Sequence, residues 1–194
     1  MERSSKNRFV LTRTVQLSVL SAVSYVLMFI SFPIIMFVPW MKVDFSDIPI
    51  LLATVVFGPL AGLTVAGLKA LLYWVTTGVS IPNFIGIFAS FVSSGTLILG
   101  YELASKLFRN RNKWVKGFAI VAFMTIAITV VMTALNWAFV LPMYMQLIGF
   151  KLSMPLNEIV LYGVAPFNII KGIIVAAAFL LVKGSLLPAF KRNH

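Results

Sequence analysis

The sequence predicts an all-α membrane protein: a bundle of six transmembrane helices, both termini cytoplasmic, with an outer loop, 33–46, capping a binding cavity. Three observations predict it. Hydrophobic residues make up 60% of the 194 residues and charged residues only 11%, where a soluble domain carries about 25% charged. The apolar residues fall into runs near the roughly 20 residues needed to cross a ~30 Å hydrocarbon core. The sixteen Lys and Arg cluster between those runs, mostly on one side, which the positive-inside rule makes cytoplasmic. The net charge of +11 is therefore loop charge on a membrane protein and not a nucleic-acid-binding surface.

The first apolar run, Val15 to Val38, follows a basic segment, Met1 to Arg8. It exceeds the about 7–15 residues of a signal-peptide core, and no small-residue cleavage site closes it. It is read as the first span, 9–32, and not as a removable leader. Ile48 to Thr77 is harder. As one helix it would be about 45 Å long and would leave five spans. Lys106, Arg109, Arg111, Lys113 and Lys116 would then lie opposite the basic N-terminus, against the positive-inside rule. A break at Gly58-Pro59 restores the sidedness, because proline cannot continue the backbone ladder and glycine turns the chain.

The break makes the second helix, 47–57, only about 16 Å long, too short to cross alone. The loop from Pro33 to Ser46 must then dip toward the membrane, which irregular backbone tolerates only where protein buries it or where it lines a cavity. Ser46 or Asp47 is available to cap the short helix. The remaining spans are 82–105, 117–141 and 158–182. Arg3, Lys6, Arg8, Arg13, the five basic residues of 106–116, Lys183, Lys191 and Arg192 then face inward. Lys42 and Lys151 face outward, and Lys69 and Lys171 stay within the membrane. No linker or repeat divides the chain, which reads as one domain, 1–194.

Several chemistries are excluded. There is no cysteine, and the single histidine is His194, so neither a disulfide framework nor a thiolate or zinc site is expected. No phosphate-binding Gly-x-x-x-x-Gly-Lys-Ser/Thr, His-Glu-x-x-His or Gly-x-Ser-x-Gly motif occurs. No acid pair lies within the spans. An enzyme is not expected, and the lack of an inverted repeat argues against an autonomous carrier. A capture subunit with a polar pocket on the outer side remains.

Intramembrane charges are costly and functional by default. Lys171 lies near the middle of the last span, with Asn168 one turn earlier on the same face. Lys171 either contacts a ligand or pairs with a carboxylate, Asp44 or Asp47, to fix packing. Asn136 shares a face with Thr129 and Thr133, which suits ligand binding or interhelical hydrogen bonding. Asn83 opens the fourth helix, with Ser90 and Ser94 continuing its face, and is either a cap or a ligand contact. Lys69 has three open roles: snorkelling, pairing with an acid, or contacting a partner. Glu102 and Lys106 read as a local i, i+4 ion pair. Trp40, Tyr144 and Tyr162 suit an interface belt. Ser18-x-x-x-Ala22 in the first helix is a small-xxx-small pattern that admits close approach, from within the chain or from a partner.

The segment Lys42-Val43-Asp44-Phe45-Ser46-Asp47-Ile48-Pro49, then Phe57-Gly58-Pro59-Leu60-Ala61-Gly62, Gly67-Leu68-Lys69 and Asn168-x-x-Lys171, resembles the substrate-binding S components of energy-coupling factor (ECF) transporters. Within that family it is most similar to the riboflavin-specific branch. The resemblance covers essentially the whole chain. It implies capture of riboflavin from outside the cell as transported substrate, with no cofactor and no chemical change. It implies as partners a transmembrane coupling (T) subunit, two ATPase subunits and the lipid bilayer of the cell membrane, and no nucleic acid.

The family's Ala-x-x-x-Ala coupling motif falls on Ser18-x-x-x-Ala22, with Ser in the first position. Its pocket positions fall on Lys171, Asn168, Asn136 and residues near Asp44. Trp40 and Phe45 from the outer loop and Asn83 complete the expected contacts. Asn serves both donors and acceptors of a flavin's pyrimidine edge, whereas Lys171 only donates. The competing readings are an S component for another vitamin, such as thiamine or a pantothenate-like acid, and an accessory membrane subunit that binds no small molecule.

Overall fold

The computed structural model describes residues 2–192, with the side chains of 11–185. The side chains of Arg3, Lys6, Arg8, Lys191 and Arg192, assigned above to the cytoplasmic face, lie outside the described residues. Helix α1, Glu2–Phe29, leads through strands β1, Ser31–Pro33, and β2, Lys42–Asp44, into α2, Asp47–Phe57, and α3, Pro59–Thr77. Then follow α4, Ile81–Leu107; α5, Lys113–Leu135; α6, Leu141–Ile148; α7, Leu156–Ile159; and α8, Ala165–Arg192. The α5–α6 and α7–α8 pairs are each one rod, so six helical rods form the bundle.

Five rods contain stretches long and apolar enough to cross a membrane, and α2, with 11 residues, does not. The chain breaks between α2 and α3 at Gly58, whose φ of 93° is a left-handed conformation that glycine alone adopts without strain. Pro59 then opens α3, where its missing N–H costs nothing.

Two features differ from the sequence expectation. The 33–46 loop is not wholly irregular. Its base is an antiparallel hairpin with Ser31 opposite Asp44, Phe32 opposite Val43 and Pro33 opposite Lys42. The rods expected at 117–141 and 158–182 are longer and contain π-turns, Asn136–Val140 and Val160–Val164. In these the Leu141 N–H reaches the Asn136 carbonyl and the Ala165 N–H reaches the Val160 carbonyl, five residues back. Each π-turn is followed by a proline inside the rod, Pro142 and Pro166. An internal proline removes a donor and its ring displaces the carbonyl four residues back. The extra residue of a π-turn absorbs that displacement, so the rod continues.

The main core joins α2, α3, α4, α5 and α8 through Ile50, Leu51, Val65, Leu97, Met124 and Phe179. A smaller cluster of Val38, Leu141, Ile159, Val160 and Val164 holds the hairpin's loop against the two π-turn regions. Gly163 permits that contact, because a Cβ there would come within 2.8 Å of Val38 Cγ1. Helix α1 is peripheral: of its described residues only Ser21 and Ser24 are buried.

Candidate functional site

Two lysines and two aspartates meet in the middle of the bundle. The Lys69 ammonium from α3 is fully buried, 3.8 Å from Asp47 Oδ1. It also donates to the hydroxyls of Ser46 at 3.1 Å, Ser94 at 3.3 Å and Ser90 at 3.4 Å. The Ser94 hydroxyl donates to Asp47 Oδ1 at 2.6 Å. The other oxygen, Asp47 Oδ2, lies 3.6 Å from Lys171 Nζ of α8. One carboxylate at the start of α2 thus serves two cations from opposite sides.

This arrangement follows from the Gly58-Pro59 break. A short α2 starts at the depth where α3 and α8 carry their lysines, so its first residue can be the carboxylate that compensates them. Ser46 does not cap α2 through its side chain, contrary to expectation. Its hydroxyl is engaged by Lys69, its N–H donates to Asp44 Oδ1 at 2.8 Å, and its carbonyl accepts from the Ser24 hydroxyl at 2.6 Å. The hairpin, α1, α2 and α3 are therefore joined at one residue.

Beside this cluster lies a cavity of about 460 Å³, within the range of small-molecule sites. Lys171, Asn168, Asn136, Asp44 and Trp40 line it. Asn168 Nδ2 lies 3.4 Å from Thr133 Oγ1, and Asn136 Nδ2 donates to the Met132 carbonyl at 2.7 Å. Their amide oxygens accept no hydrogen bond among the described residues and remain available to a donor in the cavity. Asn136 is also the first residue of the first π-turn, so that turn sets where its side chain emerges. Lys171 supplies positive charge from one wall, and Asp44 negative charge from the hairpin.

The walls between these polar groups are apolar or aromatic: Met28, Tyr73, Ala89, Met132, Tyr144 and Phe167. Trp40 packs edge-on against Phe150, ring centres 5.0 Å apart, so the hairpin loop meets the segment after α6 at the cavity. A cavity with flat apolar walls and separated donors and acceptors suits a planar heteroaromatic ligand with a polar edge.

Two expected residues lie elsewhere. Phe45 is not on the cavity; it packs against the main core with its ring 6.3 Å from Phe32. Asn83 is also off the cavity, and its side-chain amide donates to the Thr77 and Gly78 carbonyls, fastening the α3–α4 turn. Phe45 lies just past the end of β2, in the bend before α2, and its side chain turns to the core.

The sequence reading missed other residues. Ser93 lines the cavity and its buried hydroxyl has no partner. Tyr144, expected at the interface belt, lines the cavity and donates to the Pro82 carbonyl at 2.9 Å. Among the described residues no three His, Cys, Asp or Glu side chains cluster as metal ligands. Away from the cavity, Ser18 and Ala22 are both exposed on α1, flanked by exposed Val15, Val19 and Val26.

Residues 12–183 match the family model described as the ECF transporter, substrate-specific component. The chain is 37% identical to the riboflavin transporter RibU of Staphylococcus aureus, with 93% of each chain covered. It is 33% identical to the riboflavin transporter FmnP of Bacillus subtilis, covering 94% of this chain and 95% of that one. Its fold is similar to the solved structure of the S component of a bacterial ECF transporter, with a TM-score of 0.74, 34% identity, and 93% of this chain and 98% of that chain covered.

Proposed function

The chain belongs to the substrate-specific components of ECF transporters, and on that premise we propose that it captures riboflavin outside the cell and delivers it to an ATP-driven coupling module for uptake. The observation that carries this reading is the cavity, where Lys171, Asn168 and Asn136 stand around a pocket walled by Met and aromatic side chains. The family and the named relatives are transporters, not enzymes. Riboflavin is bound as cargo and leaves unchanged.

In this reading Lys171 donates to a carbonyl of the ligand's pyrimidine edge. Asn168 and Asn136 accept from its N–H and complete the polar edge, and the isoalloxazine rests against the apolar walls. Asp44 and Trp40 close the outer end. The chain acts as one integral membrane domain of the cell membrane with both termini in the cytoplasm. The α2 helix and the hairpin together make the sixth crossing, and the 33–46 loop caps the cavity. Exposed Ser18 and Ala22 on α1 provide a smooth face for the transmembrane coupling subunit, which acts with two ATPase subunits.

The test is direct. The protein purified in detergent from riboflavin-fed cells should be yellow, with a flavin absorption spectrum. Stripped protein should quench riboflavin fluorescence saturably and should ignore thiamine and pantothenate. A colourless protein that fails to bind added riboflavin overturns the assignment.

A further inference from the structure

The largest gap among the pockets described is at the opposite end of the bundle from the ligand cavity. It lies between the start of α5 and the end of α8 and measures about 1040 Å³, against about 460 Å³ for the ligand cavity. It shares no lining residue with that cavity. Along α8 the separation from Lys171 to Lys183 is about 18 Å at 1.5 Å per residue.

The geometry of the two helices explains the gap. They touch at Gly172, where a Cβ would lie 2.7 Å from Thr125 Cα. Further along, each helix has a glycine in the lining of the gap, Gly117 and Gly184. A Cβ on Gly117 would meet only Leu180 Cδ1, at 3.9 Å, and one on Gly184 would meet nothing within 4 Å. Gly184 stands inside a helix, where glycine is less favourable than alanine. Neither a close contact nor a turn requires it. It keeps the wedge open.

The wedge has two chemistries. Lys113, Lys116 and Lys183 line it, and among the described residues no Asp or Glu does. Lys183 is held in place by the Tyr101 hydroxyl at 3.0 Å and by the Tyr101 ring. Lys113 lies over the Trp114 ring. The rest of the lining is mainly apolar, including Phe118, Ile120, Val121 and Leu180, with Trp114 and Phe118 each 78% exposed. Three cations beside an open apolar slot complement an amphiphile with an anionic head and a hydrocarbon tail. A coupling protein would instead have to present acids and apolar groups in the same order along one helix.

We propose that this wedge is a binding site for one anionic phospholipid, its phosphate at Lys113, Lys116 and Lys183 and an acyl chain lying along Phe118, Val121 and Leu180. The site is independent of the ligand cavity, so its test does not depend on what that cavity binds.

The experiment uses the full chain, delipidated in detergent, with phosphatidylglycerol and phosphatidylcholine of matched chains as probes and native mass spectrometry as the readout. The wild type should retain one phosphatidylglycerol with a preference of roughly 100-fold over phosphatidylcholine, since three basic residues each add about 1 kcal/mol near an anionic headgroup. Lys113→Gln, Lys116→Gln and Lys183→Gln combined should bring the two lipids to parity. Gly184→Leu, which fills the wedge and keeps the lysines, should lose the retained lipid. Helix content and elution volume should match wild type in both variants.

Equal retention of the two lipids by the wild type overturns the proposal. So does a preference that survives the triple change, or one untouched by Gly184→Leu. The chain has no cysteine, so Gly184→Cys supplies a single reporter thiol. Phosphatidylglycerol should shield it from maleimide. Shielding only on assembly with the coupling subunits would make the wedge a protein interface and sink the lipid assignment.

Discussion

Helices α8 and α1 carry the same kind of pattern, small or polar residues three or four apart in an apolar run, and the fold puts the two to opposite uses. On α8, Asn168 and Lys171 face the cavity and Gly172 seats the helix against α5. On α1, Ser18 and Ala22 face away from the bundle, and Ser21 and Ser24 turn inward. Spacing identifies a face but not its neighbour. What separates the two helices is company. Lys171 is met by a carboxylate at 3.6 Å, whereas exposed valines surround Ser18 and Ala22. One helix pairs its charge inside the bundle, and the other leaves its small residues on the surface.

That contrast can be broken by substitution. Lys171→Ala should have the largest effect. It removes a charged donor from the cavity, and riboflavin affinity should fall by about 100-fold, the upper range for a hydrogen bond to a charged group. Fluorescence quenching titration measures it, and near-normal affinity would remove Lys171 from the site. Ala22→Trp should do the reverse. Uptake by the reconstituted transporter should drop to background, while riboflavin affinity stays within about twofold, because Ala22 is exposed on α1 and away from the cavity. If binding is lost as well, Ala22 serves internal packing.

Lys69→Met sharpens the comparison within the charge cluster. Asp47 would be left to Lys171 alone and would draw it from the ligand. Affinity should weaken by roughly tenfold, about 1.4 kcal/mol, without any lost ligand contact, within the coupling range of one ion-pair network. Titration of Lys69→Met beside Lys69→Met/Lys171→Ala checks this, since the Lys69 effect should vanish once Lys171 is gone. The smallest effect is expected for Ser93→Ala. Its hydroxyl is buried without a partner, so the ligand-free protein should melt at a slightly higher temperature. Riboflavin affinity should stay within about twofold, because the buried hydroxyl is not exposed to the cavity. A melting temperature that falls would mean the hydroxyl is already satisfied.

Sequence reading reached the features written in single residues. Gly58-Pro59 marks the α2–α3 break because both residues act on their own backbone. Lys171 and Asn168 stand out because ionisable and amide groups are rare at that depth. The π-turns escaped it, although each left a trace in Pro142 and Pro166, prolines inside runs too apolar to end there. Lys69 kept three open roles because its partners Asp47, Ser46, Ser90 and Ser94 come from two other elements, and no local pattern links them. Phe45 is expected at the cavity as part of the outer loop, and Asn83 has two open roles, cap or ligand contact. The bend after β2 turns Phe45 to the core, and the start of α4 uses its asparagine on the preceding turn.

The sharing of Asp47 also bears on how the chain enters the membrane. A lysine at mid-depth costs an inserting helix about 2.5–3.5 kcal/mol, and two such helices are present. Lys69 emerges from the ribosome with Asp47 twenty-two residues ahead of it, in the adjoining arm of the same helical hairpin, so α2 and α3 can enter the bilayer as a compensated pair. The last helix has no acid of its own; its lysine must find a carboxylate already in place. The ion pair between the two halves therefore forms only once both are in place, and Lys171, which lines the cavity, is the residue from α8 that makes it.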